Sequence, residues 1–223
     1  MTSVATAFLA AVLLTDFRLL AGSRLVALIR VAGIQGALLG GLAVFLSVSE
    51  PDLVLALAAI TIAVKGLLLP RLLLRAIRRA EIRREVEPIV GYSASLALGV
   101  VGLGAAAWVG ASLSLPSGNA PPLLVPTALF TALTGLFLIV ARRKAILQAL
   151  GYLVFENGVY AFGLGIAHEE PLLVQLGALL DLLVAVFVMG IIVFQIQRDF
   201  DHIDVDRLTS LRDAGELRPE REL

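Results

Sequence analysis

The sequence has no cysteine and only two histidines, His168 and His202, in 223 residues. Without thiolates the chain holds no disulfide, no thiolate-ligated iron–sulfur cluster and no nickel–thiolate site of its own. Both histidines fall outside the long apolar runs, which argues against a haem held by histidines within a bilayer. Charge is scarce as well: 16% of residues are Asp, Glu, Lys or Arg, against about 25% in a soluble domain. The 18 acidic and 18 basic side chains cancel, so no overall basic balance favours nucleic acid as a partner. No nucleotide loop, metal-ligand cluster or nucleophile–base pair is visible. The expectation is a non-enzymatic chain with no cofactor of its own.

What is abundant is apolar. Hydrophobic residues make up 59% of the chain, above the roughly 45–50% of soluble domains. They gather into seven runs, at about 4–21, 25–48, 53–74, 88–111, 123–141, 145–167 and 171–196. About 20 apolar residues cross a hydrocarbon core as a helix. The pattern predicts an all-α, polytopic transmembrane bundle of about seven helices over residues 1–197, with a tail at 198–223. The first run is the weakest, because Asp16 and Arg18 sit near its end. It has no Lys or Arg before residue 18, so it lacks the positive start of a cleaved signal peptide and reads as a retained helix.

Lys and Arg placement sets the orientation. Arg18 and Arg24, the run Arg71 to Arg84, the triplet Arg142-Arg143-Lys144 and the tail from Arg198 alternate with three loops that carry neither residue, 47–52, 112–122 and 168–171. This predicts an N-terminus outside and a C-terminus in the cytoplasm, in the inner membrane. A faint internal repeat accompanies it. Arg24-Leu-Val-Ala-Leu-Ile-Arg30, Gly33 and Glu50-Pro51 are echoed by Arg142-Arg-Lys-Ala-Ile-Leu147, Gly151 and Glu170-Pro171. Each unit, at 1–80 and 121–197, would be three helices, joined by the helix at 88–111.

Three ionisable residues fall near the middle of their runs: Lys65, Glu156 and Asp181. A charge facing lipid at the bilayer centre costs at least about 2.5–3.5 kcal/mol. All three must therefore face protein or water. Tyr152, Glu156 and Tyr160 recur every four residues and line one helix face, with Asn157 beside the carboxylate. Thr61 and Lys65 share the same spacing. Gly33, Gly36 and Gly40 form a small-residue face that permits close helix contact. Two readings stay open. The groups relay protons or switch a conformation, since a desolvated carboxylate or ammonium has both protonation states within reach. Or they pair to fasten helices, a glue worth on average about 0.6 kcal/mol per contact.

Other features weigh less. Arg30, nearer a helix end, can snorkel to the interface. The run Arg71 to Arg84 suits anionic lipid headgroups, a peripheral subunit or simple topology setting. Pro70 is placed to kink the third helix. In the tail, Phe200, Ile203, Leu208 and Leu211 recur on one face among aspartates, which suits docking on a partner.

Leu150-Gly-Tyr-Leu-Val-Phe-Glu-Asn-Gly158 resembles the sixth helix of hydrogenase-4 component E, a membrane subunit of formate hydrogenlyase-type complexes. Ile62-Ala-Val-Lys-Gly-Leu-Leu-Leu-Pro70, Asp181 and Asp204-Val-Asp-Arg-Leu-Thr-Ser-Leu-Arg212 are similar to that family's third helix, last helix and tail. More distantly, Arg142-Arg-Lys144 and the segment through Glu170-Pro171 resemble the small antiporter-type subunit of complex I, with Lys144 where those relatives carry Asn. The resemblance implies a non-catalytic membrane-arm subunit of a group 4 hydrogenase or related respiratory complex. It implies antiporter-like membrane subunits and peripheral redox subunits as partners, and coupling of electron transfer to proton or sodium movement. Two rivals remain: a structural scaffold between antiporter-like subunits, and a small autonomous ion transporter.

Overall fold

The structure, a computed structural model, describes residues 2–46, 56, 58–79, 89–113 and 121–166. The described residues are all-helical. α1 spans Thr2–Ala21 and α2 spans Leu25–Leu46. α3 is α-helical over 58–61, widens into a π-helix over Ile62–Leu68 and continues as an α-helix over Leu69–Arg79. α4 spans Tyr92–Ser112, α5 Leu124–Ala141 and α6 Ala145–Ile166. Six of the seven apolar runs thus contain helix. The seventh run, Asp181 within it and the tail lie outside the described residues.

Four described helices are long and apolar enough to cross a membrane: Ser3–Ala21, Leu25–Leu46, Tyr92–Ser112 and Leu124–Ala141. The first is the run that looked weakest by sequence. α6 matches α2 in length at 22 residues, but Gln148, Glu156 and Asn157 dilute its apolar character.

Glycine sets the closest helix contacts. A Cβ on Gly36 would fall 2.8 Å from the Cβ of Lys65, and one on Gly33 would fall 2.8 Å from the Pro70 ring. The glycine face of α2 therefore seats α3, as its spacing predicted. α5 and α6 pack most extensively of all. A Cβ on Gly151 would lie 2.8 Å from the Gly135 carbonyl oxygen, and one on Gly158 would collide with the backbone of Ala132.

The interior divides by depth. One apolar cluster joins Leu19, Leu28, Ile29, Leu69, Leu73, Leu138, Leu147 and Leu150. A second joins Leu9, Val12, Leu39, Leu42, Leu124 and Ala161 at the opposite end. Along α2 and α6 these clusters leave the level of Gln35 and Glu156 between them. α4 lies on α1 and α5 through Gly99, which sits against Leu20 and Phe17, and exposes Leu98, Val101 and Trp108.

The structure adds detail at two positions noted in the sequence. Just before Pro70, α3 carries a widened turn. Pro70 has no N–H for the Gly66 carbonyl, and its ring crowds that oxygen in a regular α-helix. The wider spacing, in which the Leu69 N–H reaches the Val64 carbonyl, takes up the misfit. Arg142, read as one of three loop charges, is fully buried. It donates through Nη2 to the Leu20 carbonyl (3.0 Å) and through Nη1 to the Val90 carbonyl (3.2 Å). Tyr92 and Phe137 flank it with ring centroids 5.5 and 6.0 Å away. Burial pushes its guanidinium below the ordinary arginine value, with Tyr92 opposing. It satisfies one carbonyl in the last turn of α1 and ties that end to the segment just before α4.

Candidate functional site: a polar string across four helices

Lys65 and Glu156 meet. Lys65 Nζ forms an ion pair with Glu156 Oε1, and both side chains are 3% exposed. The ammonium also lies 4.6 Å from the centroid of the Tyr160 ring, a contact that partly replaces lost water. Lys65 is carried by the π-helical stretch of α3. Such wide turns are rare and often sit at functional positions. Glu156 lies halfway along α6, and its Oε2 has no hydrogen-bond partner among the described residues.

Asn157, the next residue on α6, opens a second set of contacts. Its Nδ2 donates to Gln35 Oε1 on α2 at 3.1 Å. Gln35 Nε2 donates to Asp16 Oδ1 on α1 at 2.8 Å and to Thr15 Oγ1 at 3.0 Å. Thr131 on α5 donates through Oγ1 to Asp16 Oδ2 at 2.7 Å. Asp16, Gln35, Thr131, Glu156 and Asn157 are all buried. Asn157, Gln35, Asp16 and Thr131 thus form a hydrogen-bonded string through α6, α2, α1 and α5. The Lys65–Glu156 pair of α3 and α6 lies beside it, Glu156 preceding Asn157 in the chain and Lys65 lining the same cleft as Asn157.

The sequence-expected residues divide. Asn157 belongs to the string, and Lys65 and Glu156 form the ion pair beside it. Thr61 is buried on the turn before Lys65, where the wide turn starts and the four-residue spacing no longer sets the register. Tyr152 is half-buried, packs against the apolar cluster at the α3 side and sets its ring tilted at 51° to that of Phe155, centroids 6.4 Å apart. Asp181 lies outside the described residues. Sequence reasoning missed Asp16, Gln35 and Thr131. Asp16 was read with Arg18 as charges near the end of the first run, yet Arg18 is exposed and Asp16 is not.

A small cleft reaches the string between α2, α3 and α6. Lys65 and Asn157 line it with Gly33, Pro70, Leu73 and Leu150. Among the described residues no cluster of His, Asp and Glu has the arrangement of a metal site.

No protein-family model and no solved structure matches the chain. The uncharacterized protein Rv0085 of Mycobacterium tuberculosis is 34% identical over 193 residues, which is 84% of this chain and 86% of that one. Hydrogenase-4 component E of Escherichia coli K12 is 35% identical over 100 residues, 45% of each chain. The same protein of Shigella flexneri matches to the same extent. The chain thus spans less than half the length of the hydrogenase-4 components it matches. The apolar helices and these likenesses mark a membrane protein, one that belongs to the same family as the mycobacterial protein and is distantly related to hydrogenase-4 component E.

Proposed function

We propose that this chain is a non-catalytic, multi-pass subunit in the membrane arm of a hydrogenase-type, complex I-like redox complex of the inner membrane. In this reading it crosses seven times, with the N-terminus outside and the C-terminus in the cytoplasm. Electron transfer takes place in peripheral redox subunits, and antiporter-like subunits lie beside it in the bilayer. Its part is to couple that electron transfer to proton or sodium translocation through its buried charges.

The observation that carries this reading is the Lys65–Glu156 pair at 3% exposure. Removing two ions from water costs several kcal/mol per ion, and an apolar pair of similar volume is often as stable. A pair kept only to fasten α3 to α6 is therefore a poor bargain where glycine already seats α2 on α3. A pair that opens and closes as a charge passes justifies its cost through function. The likeness to hydrogenase-4 component E supplies the class of complex. Glu156→Gln in the assembled complex is the test, read as ions translocated per electron. Lost translocation with continued electron transfer supports coupling. Normal translocation removes Glu156 from it, and a drop in assembly alone favours the scaffold.

A further inference from the structure

Asp16 is the one acidic side chain of α1, and it is fully buried. Both its oxygens accept hydrogen bonds, from Gln35 and from Thr131. Among the described residues no cation lies within ion-pair distance of it. Thr131 is flanked on its own helix by Thr127 and Thr134, four residues before and three after, which places all three on one face. The hydroxyls of Thr127 and Thr134 are buried and have no hydrogen-bond partner among the described residues.

We infer that Asp16 is a second proton-carrying carboxylate of this chain, joined to the Lys65–Glu156 pair by the side-chain amides of Gln35 and Asn157. The inference rests on the reading of Lys65 and Glu156 as coupling charges and adds a site on a fourth helix.

The hydrogen bonds fix the logic. An ionised Asp16 only accepts, so Gln35 must turn its N–H groups towards α1. Its Oε1 then faces α6, and Asn157 must present an N–H to it. A proton passed from hydronium onto Oδ1, which leaves water behind, makes Asp16 a donor at that corner. Gln35 then turns over, its Oε1 accepts from Asp16, and its Nε2 faces Asn157. Asn157 turns in response, one residue from Glu156. A proton on Oδ2 donates instead to Thr131 Oγ1, and the Thr131 hydrogen swings away along a face that already carries two unpaired hydroxyls. One O–H bond breaks in the hydronium donor and one forms on Asp16; otherwise only hydrogen bonds change partners. The charge on Asp16 is thus written into the amide orientation beside Glu156, and a change at Glu156 is read back at Asp16.

A carboxylate serving only as a helix fastener needs none of this. Asparagine would accept from Gln35 and donate to Thr131 without a buried charge.

The first test uses the full chain in lipid bilayers with 15N-labelled side-chain amides, read by solid-state NMR. The Gln35 signal is identified by its loss in Gln35→Met. Asp16→Asn and Glu156→Gln should each shift it. Asn157→Leu should abolish the effect of Glu156→Gln and leave that of Asp16→Asn. A Gln35 signal unmoved by Glu156→Gln, or moved by it when Asn157 is gone, overturns the inference. The second test is in the assembled complex, where Asp16→Asn should lose translocation per electron as Glu156→Gln does. Thr131→Val, which keeps the charge and removes its donor, should weaken translocation and serves if Asp16→Asn does not assemble. Normal translocation in either variant overturns the inference. If Glu156→Gln itself translocates normally, the proposed function fails whatever the amide reports. If Glu156→Gln uncouples but leaves Gln35 unmoved, only the Asp16 inference fails.

Discussion

Gly36 and Lys65 touch almost backbone to backbone: a Cβ on Gly36 would stand 2.8 Å from Lys65 Cβ and 3.2 Å from its carbonyl carbon. The position of the buried ammonium is therefore set by the absence of a side chain on α2. Gly36→Ala should push α3 outward and destabilise the protein by about 1–3 kcal/mol, as overpacking does. Gly104→Ala is the control. Nothing lies within 4 Å of its would-be Cβ, and a helical Gly→Ala change gains about 0.5–1 kcal/mol. Chemical denaturation in detergent should move the two variants in opposite directions.

Removing one member of the Lys65–Glu156 pair should be worse than removing both. Lys65→Met leaves a buried carboxylate uncompensated, at roughly 3–5 kcal/mol for a strictly buried ion. The double variant with Glu156→Gln should recover most of that loss. A double-mutant cycle on unfolding free energy checks it, and additive losses would show that the two groups do not pair.

Pro70→Ala restores an N–H able to reach the Gly66 carbonyl, which removes one reason for the wide turn. α3 should tighten towards an ordinary α-helix and rotate Lys65 relative to α6. The measurable consequence is the coupling energy from the Lys65/Glu156 cycle repeated in the Pro70→Ala background, which should fall. An unchanged coupling energy would mean that contacts other than the proline hold the turn.

Arg142→Lys should behave as a deletion. The guanidinium serves the Leu20 and Val90 carbonyls at once between two rings, and an ammonium cannot match a planar fork in that slot. The end of α1 should loosen, seen as faster hydrogen exchange at residues 18–22, by about 1–3 kcal/mol for acceptors left buried. Arg143→Lys, at an exposed neighbour, should change nothing there.

The helices were legible because apolar runs near 20 residues admit few alternatives. The glycine stripe on α2 was legible too, since three- and four-residue spacing among small residues has one geometric meaning. Lys65 and Glu156 stood out as charges with no reason to face lipid. Asp16 and Gln35 did not, for different reasons. Asp16 sits two residues from an arginine, and sequence alone cannot show that one of them points inward and the other outward. Gln35 is uncharged, so its burial raised no alarm, and only the fold brings it between Asp16 and Asn157. The wide turn at Lys65 was visible only as a proline, whose effect on a helix has more than one outcome. Arg142 was hidden by its neighbours, because a basic triplet reads as a single feature when its members do separate work.

The hairpin of α5 and α6 meets closely at Gly135, Gly151 and Gly158, where an added Cβ would press on backbone atoms of the other helix. Such a joint resists gradual shear, because each glycine lies over a particular carbonyl or amide of the other helix. Thr131 and Glu156, one on each arm, therefore travel together. In the proposed coupling, the two arms swing as one stiff lever against α1, α2 and α3, and the freedom to rearrange is left to the hydrogen bonds of Asp16 and Gln35 and to the seam where Lys65 meets Glu156.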